Sequence, residues 1–348
     1  MDSFTLTDLD VDVHVTTDES ERKTKLINAA DFANDGPKSW ESFVGQDRVK
    51  QQLQVHISSA IRRGVALDHV LLASGMPGVG KTTLGRIIAK ELHSEMIQLV
   101  PPFHKNTLFE AASSLGSFGV LFIDEIHKMA DGGKAMAENL LHILEERRIY
   151  ADGGAIELKE ITVIGATTDP GKLPEPLLDR FPIKPHFEPY DVWDLSLITA
   201  QFVGRYGADA SDDVILAIAS ACRKTPRVAR ELVMAARDLG VAYGRPCTPE
   251  ELFDFKQMDP DGMTLQHRNY LIALFRNFAR KSKSDGSIEY IAGEDSMVKL
   301  LRETKGGLAS IERFLIELGL LDQGPRGRRL TEEGVQRAAH YAAREGHT

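Results

Sequence analysis

The sequence predicts an α/β domain with a parallel sheet, followed by a small all-helical unit and a C-terminal winged helix. Between Val44 and Pro189, short apolar runs alternate with segments of helical periodicity, a pattern typical of a parallel sheet buried on both faces. From Asp191 to Phe255 the pattern is helical throughout. In residues 260–348, three helical segments precede a Gly/Arg-rich turn flanked by short extended runs, which indicates a winged helix.

The predicted elements of the α/β domain follow one another in strand–helix order. A first helix, DRVKQQLQVHISSAIRRG, closes on Gly64, as expected from the preference for glycine just beyond a helix end. Later helices are TTLGRIIAKELH and AMAENLLHILEERR. The predicted strands are the apolar runs HVLLA, MIQLV, GVLFID, ITVIGATT and IKPHFEPY.

A chain of 348 residues is too long for one simple core. We therefore predict an acidic N-terminal extension over residues 1–37, a large α/β domain over 38–189, a helical lid over 190–259 and a winged-helix domain over 260–348. The extension is rich in Asp and Thr and ends at the turn-like stretch NDGPKSW. We interpret it as a mobile or loosely docked arm.

Composition excludes several classes of protein. The hydrophobic content of 42% and the charged content of 27% are ordinary for a soluble globular protein. No apolar run approaches the ~20 residues that span a bilayer, and the N-terminus lacks a signal-peptide pattern. The two cysteines, Cys222 and Cys247, have no metal-binding spacing. Reduced thiols of this kind favour a cytoplasmic location.

Charge is unevenly distributed along the chain. The net charge of −9 argues, as an average, against a nucleic-acid partner. An average can hide a local basic surface, however. Arg326, Arg328 and Arg329 form such a cluster near the C-terminus.

The stretch SGMPGVGKTT follows the predicted strand HVLLA and opens a predicted helix. Gly75, Gly80, Lys81 and Thr82 in it fit the phosphate-loop pattern G-x-x-x-x-G-K-[ST]. Glycines let several backbone N–H groups turn toward a phosphate without a Cβ clash, and the helix N-terminus adds a positive dipole. Lys81 supplies a charge for the β- and γ-phosphates, and the Thr82 hydroxyl is placed to ligate Mg²⁺. ATP and Mg²⁺ are therefore the expected ligands.

The run GVLFIDEIH supplies two acids at the end of a buried strand. Asp124 directly follows the four apolar residues 120–123, and we expect it to hold the shell of the Mg²⁺ ion. Glu125 is placed to orient and polarise the attacking water. His127 lies nearby, but we interpret it as a structural or contact residue because Glu125 already fills the role of base.

Hydrolysis also needs fixed polar and cationic groups, because negative charge shifts over the phosphate in the transition state. ITVIGATT ends a third strand, which puts Thr167 or Thr168 beside the γ-phosphate, and we choose Thr167. PLLDRF presents Arg180 beside a helix end, and KTPRVARELV places Arg227 at a helix start.

Together, the segments FVGQDRVKQQL, GVALDHVLL, GMPGVGKTTL, VLFIDEIHKM, IGATT, PLLDRF, TPRVAREL and GPRGRR resemble RuvB, the AAA+ motor of Holliday-junction branch migration. The resemblance runs from about Pro37 to about Leu330. It implies an AAA+ P-loop domain in a homo-oligomeric ring, commonly a hexamer, around duplex or four-way-junction DNA.

The resemblance assigns roles within that ring. Arg180 would act in trans on the ATP of a neighbouring subunit, and Arg227 would be a second sensor on the lid. The nucleotide-binding residues would be Gly75, Pro77, Gly78, Val79, Gly80, Lys81, Thr82, Thr83 and Asp124. At the adenine end they would be Val44, Gly45 and Tyr190. Arg326, Arg328 and Arg329 would contact DNA, mostly at phosphates, so that binding is salt-dependent and indifferent to sequence.

The partner of the motor and one alternative to the motor remain open at this point. The region RRIYADGGAIELKE suits a hairpin but is shorter than the RuvB hairpin that docks on the partner RuvA, which leaves a RuvA-like partner undecided. An ATP-switched loader or initiator would share the same nucleotide motifs. A catalytically dead scaffold is disfavoured because every hydrolysis residue is present.

Overall fold

The computed structural model describes residues 36–131, 134–151, 154–281 and 287–345, so nearly all of the predicted N-terminal extension lies outside the described residues. The chain divides into two compact units, Met1–Cys247 and Thr248–Thr348. Our four-part division stays a prediction. Helix Pro249–Lys256, which we assigned to the lid, belongs to the second unit. None of the helices in the described ranges has the length and apolar character needed to cross a membrane.

A parallel four-stranded sheet organises the first unit. Its strands are β1 (Val70–Ala73), β2 (Met96–Leu99), β3 (Val120–Ile123) and, after the hairpin strands β4 (Arg148–Ala151) and β5 (Gly154–Glu157), β6 (Thr162–Thr167). The order across the sheet is β1-β6-β3-β2, and all three pairings are parallel. The carboxyl ends of β1, β3 and β6 therefore meet at one edge.

Helices surround this sheet and form the lid. They are α1 (Asp47–Arg63), α2 (Lys81–Glu91), α3 (Lys105–Ser114), α4 (Lys128–Asp131), α5 (Lys134–Glu146), α6 (Glu175–Asp179), α7 (Val192–Tyr206), α8 (Asp212–Ala221) and α9 (Pro226–Tyr243). As predicted, α1 closes on Gly64, which adopts a left-handed conformation. The sequence analysis missed α3.

Helix α2 lies close against strand β3. The ring of Phe122 occupies the position that a Cβ on Gly85 would need, so the missing side chain permits the approach. Leu84 and Ile88 of the same helix are fully buried. This packing fixes the start of α2 opposite the end of β3.

The predicted strand IKPHFEPY is wrong. Only Ile183 pairs with the sheet, in a single parallel bridge to Val70. Pro182, Pro185 and Pro189 interrupt the segment, and a proline has no N–H to donate to a ladder. The apolar positions of the segment are buried without forming a strand.

The second unit has the predicted winged-helix architecture. Its elements are α10 (Pro249–Lys256), α11 (Leu265–Asn277), β7 (Ala279–Lys281), β8 (Ile288–Ala292), α12 (Glu294–Leu301), α13 (Lys305–Glu317), β9 (Leu321–Gly324), β10 (Gly327–Leu330) and α14 (Glu332–Glu345). An antiparallel sheet of order β7-β8-β10-β9 contains the β9–β10 wing. The chain leaves α11 at Asn277 and then pairs β7 with β8.

Candidate functional site

The phosphate-loop sequence forms the backbone that its glycines predict. Gly78 and Gly80 adopt positive φ angles of 79° and 92°, which other residues rarely adopt. Gly80 caps α2, which begins at Lys81. The N-terminal N–H groups of α2 are therefore directed at the loop, as an anion site requires.

Lys81 is buried, with 7% of its surface exposed. Its Nζ donates to the carbonyl oxygens of Ser74 (3.4 Å) and Met76 (3.3 Å), at the start of the loop. Burial lowers the pKa of Lys81, whereas Glu125 and Asp124 raise it. The ammonium group is thus held beside the loop and near both strand-end acids.

Thr82 and Asp124 meet across the edge of the sheet. The Thr82 hydroxyl donates to Asp124 Oδ2 at 3.0 Å, although the two residues are far apart in sequence. Mg²⁺ is usually held by one or two protein oxygens, with phosphate and water completing its shell. The oxygen donors present fit such an ion, and these two residues could hold it.

Glu125 has a strained backbone and a fixed carboxylate. Its φ of 47° lies in the left-handed region, which is uncommon for residues other than glycine. Glu125 Oε2 accepts hydrogen bonds from the Thr168 N–H (3.2 Å) and hydroxyl (2.8 Å). His127 Nδ1 lies 3.3 Å from the same oxygen. The chain thus orients Glu125 from two sides.

Thr167 contacts His127 and makes no hydrogen bond to Glu125 among the described residues. Its hydroxyl is paired with His127 Nδ1 at 2.9 Å and accepts from the Asp169 N–H at 3.0 Å. Of the two threonines that the sequence left open, Thr168 is the one that contacts the glutamate. The choice of Thr167 as sensor stays a prediction. His127 has the contact role that the sequence predicted.

The lid contributes two of the predicted residues to the loop. A Cβ on Gly78 would lie 2.9 Å from Arg227 Cβ, so the start of α9 touches the phosphate loop. Tyr190 Oη donates to the Val79 carbonyl at 3.1 Å, and the Tyr190 ring lies against Gly45. The loop and the predicted adenine end are therefore linked through the buried Tyr190 side chain.

Arg180 lies elsewhere, at the C-terminal cap of α6. Its guanidinium donates to Glu145 Oε1 at 2.8 Å, and its side chain is 39% exposed. This ion pair holds the guanidinium at α5 and not at the phosphate loop of its own chain. The structure leaves the individual roles of Gly75, Pro77, Thr83 and Val44 as predictions.

The three wing arginines differ from one another. Arg326 is exposed in the β9–β10 turn, and Arg329 is half-exposed beside Glu289 and Asp322. Arg328 is the least accessible of the three, because its side chain is only 12% exposed and pairs with Glu312 at 2.9 Å. Its DNA contact stays a prediction and would require this ion pair to break.

Glu312 is the centre of a buried polar network in the second unit. It is 3% exposed and accepts from Tyr270 Oη at 2.9 Å as well as from Arg328. Glu294 adds a second, longer contact to Arg328 at 3.4 Å. The network ties the wing strand β10 to helices α11 and α13.

The parallel sheet, the phosphate loop and the paired acids define a P-loop nucleoside triphosphatase. Residues 36–187 match the family model "Holliday junction DNA helicase RuvB P-loop domain". Residues 260–338 match "RuvB C-terminal winged helix domain".

Curated relatives and solved structures agree with these matches. The chain is 35% identical over 303 residues to "Holliday junction branch migration complex subunit RuvB" of Arthrobacter sp. (strain FB24), covering 84% of this chain and 81% of the relative. It is 34% identical over 313 residues to the protein of the same name from Thermobifida fusca (strain YX), covering 85% of each. "Thermotoga maritima RuvB Holliday junction branch migration motor" aligns with a TM-score of 0.74 at 30% identity, covering 87% of this chain and 97% of that one. The chain belongs to the RuvB family.

The buried network predicts different stability effects for two neighbouring arginines. Arg328→Met leaves Glu312 buried without its cation and should destabilise the second unit by about 3 kcal/mol or more. Arg329→Met, at an exposed position, should change stability by less than about 0.5 kcal/mol. Hydrogen exchange of the α13 amides in the full chain measures both effects. Equal protection of α13 in the two variants would contradict the role assigned to Arg328.

Proposed function

We propose that this chain is an ATP-driven DNA motor of the RuvB type, which moves duplex DNA during branch migration at Holliday junctions. The observation that carries the proposal is the meeting of Thr82 and Asp124 at 3.0 Å with Glu125 beside them, in a chain of the RuvB family. The matched names are those of a branch-migration motor, which favours it over a loader.

ATP would bind with its phosphates in the loop. The N–H groups at the start of α2 and the Lys81 ammonium neutralise charge on the β- and γ-phosphates. Thr82 and Asp124 would hold Mg²⁺, which supplies charge neutralisation on the same phosphates when bound. Glu125 orients a water molecule and accepts its proton as the oxygen attacks the γ-phosphorus. Arg227 adds a lid cation beside Gly78.

A complete site would need two subunits. Arg180 contacts Glu145 of its own chain, and its exposed fraction leaves it available to a neighbouring surface. We propose that it stabilises the transition state in trans, on the nucleotide of the next subunit in a ring, with a hexamer as the proposed size. An arginine supplied in this way commonly contributes about 10³- to 10⁵-fold in kcat.

Arg326 and Arg329 are the proposed DNA contacts of the wing. Contacts of these side chains to phosphate would position the duplex without reading its sequence, which suits a motor that moves along any sequence.

A RuvA-like partner stays a prediction that depends on the β4–β5 hairpin. Cys222 and Cys247 are both buried and form no disulfide, which supports the cytoplasm as the proposed compartment.

A site shared between subunits predicts rescue on mixing. Arg180→Ala should bind ATP but lose about 10³-fold or more of its ATPase activity, and Lys81→Ala should lose nucleotide binding. In a random one-to-one mixture, about a quarter of the head-to-tail interfaces combine an intact loop with an intact arginine. ATP hydrolysis stimulated by four-way-junction DNA should therefore reappear in the mixture.

The control is Arg180→Ala mixed with the Lys81→Ala, Arg180→Ala double variant, which contains no intact arginine and should stay inactive. Activity that returns in neither mixture, while both proteins assemble with wild-type mass, would contradict the shared site.

The wing arginines also predict a change in salt dependence. Changing both Arg326 and Arg329 to Ala should make the slope of log K against log salt for duplex DNA less steep, by about 0.9 for each phosphate that is no longer neutralised. Arg237→Ala, at a partly exposed position of α9 where the arginine pairs with Asp238, is the control and should leave the slope unchanged. A wild-type slope in the double variant would place the DNA-binding surface outside the wing.

A further inference from the structure

Asp194 occupies a position in α7 whose usual role it does not perform. It is the third residue of the helix, where an acid normally accepts a hydrogen bond from the N–H of the capping residue. Glu251 does this in α10, accepting from the Thr248 N–H at 2.9 Å. In α7 the Asp191 side chain caps the Asp194 N–H at 2.7 Å, but among the described residues no donor reaches the Asp194 carboxylate. The helix start therefore favours this carboxylate through its dipole but supplies no hydrogen-bond donor to it.

The carboxylate lies beside Gly45 and Tyr190, two of the residues predicted for the adenine end. A Cβ on Gly45 would lie 2.6 Å from Asp194 Oδ2 and 2.8 Å from Tyr190 Cε1. Tyr190 in turn donates to Val79 of the phosphate loop. The order of contacts is therefore loop, Tyr190, Gly45 and then Asp194.

The surroundings of Asp194 favour an N–H donor from outside the chain. Burial, together with the nearby charges of Asp191 and Asp47, raises its pKa to about 6, and Lys50 opposes this only in part. Lys50 is itself engaged with the Phe43 carbonyl at 3.0 Å and with Asp47 at 2.7 Å. A half-buried carboxylate without a donor is costly, and a ligand that brings one would remove that cost.

We propose that Asp194 reads the base of the bound nucleotide by accepting a hydrogen bond from the 6-amino group of adenine. This rests on the proposed function, in which ATP binds with its phosphates in the loop, and on the predicted adenine end at Val44, Gly45 and Tyr190. Adenine presents an N–H donor at its 6-position, whereas guanine and hypoxanthine present an acceptor oxygen there. A site with a fixed acceptor discriminates strongly against an analogue that lacks the matching donor. Asp194 is thus a specificity residue and takes no part in the chemistry at the γ-phosphate.

The test compares dissociation constants for ATP and purine riboside 5′-triphosphate, which differ only in the 6-amino group. Competition against a fluorescent ATP analogue measures both without requiring hydrolysis. The wild-type chain should bind ATP about 10-fold more tightly or better, because the analogue cannot donate the hydrogen bond to the charged carboxylate. In Asp194→Ala this ratio should fall to about 1–2 if that bond is its source. Asp213→Asn, in the first turn of α8, is the control and should keep the wild-type ratio.

Asp194→Asn keeps the shape of the side chain. It tests the role of the Asp194 carboxylate if the alanine variant does not fold. Its amide can donate to a 6-oxygen, so the preference for ATP over ITP should fall about 10-fold or more. A wild-type ratio in either folded variant overturns the proposal. Tighter wild-type binding of GTP than of ATP also overturns it, because a carboxylate can instead read the 1-NH and 2-amino groups of guanine. A chain that binds ATP selectively but never hydrolyses it would contradict the proposed function and leave the role of Asp194 supported.

Discussion

The contact between Thr82 and Asp124 depends on a constraint that governs the whole first unit: parallel strands end at the same edge of their sheet. Because β1 and β3 lie on either side of β6, the loop after β1 and the acids after β3 converge although they are distant in sequence. Gly85 permits α2 to approach Phe122 closely enough to bring the Thr82 hydroxyl to the acid. Nucleotide chemistry at this edge is therefore a consequence of sheet order and of one close helix–strand approach.

The same edge also orients the proposed base. Glu125 follows Asp124 directly and leaves the strand in a left-handed conformation. Thr168, just beyond β6, donates two hydrogen bonds to the carboxylate in this geometry. Strain of this kind persists where surrounding contacts over-determine the backbone, and here those contacts come from the neighbouring strand.

Continuous apolar runs and glycine spacing were sufficient to predict the sheet, the phosphate loop and the paired acids, because these features follow from local patterns. Tertiary contacts decided the rest. The segment after Phe181 has the apolar content of a strand, but its prolines limit it to one bridge. The wing arginines are alike in sequence, and only the fold shows that Arg328 serves Glu312 while Arg326 is exposed. Asp194 gave no signal, since an acid near a helix start is ordinary.

In the proposed mechanism, Glu125 acts on the attacking water and takes no part in nucleotide binding. Glu125→Gln is nearly isosteric and keeps the hydrogen-bond acceptor that faces Thr168, so ATP affinity should stay close to that of the wild-type chain. Single-turnover hydrolysis should fall about 100-fold or more, because a neutral amide cannot take the proton. Glu110→Gln, on the exposed face of α3, should hydrolyse ATP at the wild-type rate. Wild-type hydrolysis by Glu125→Gln, or loss of its ATP binding, would contradict the account.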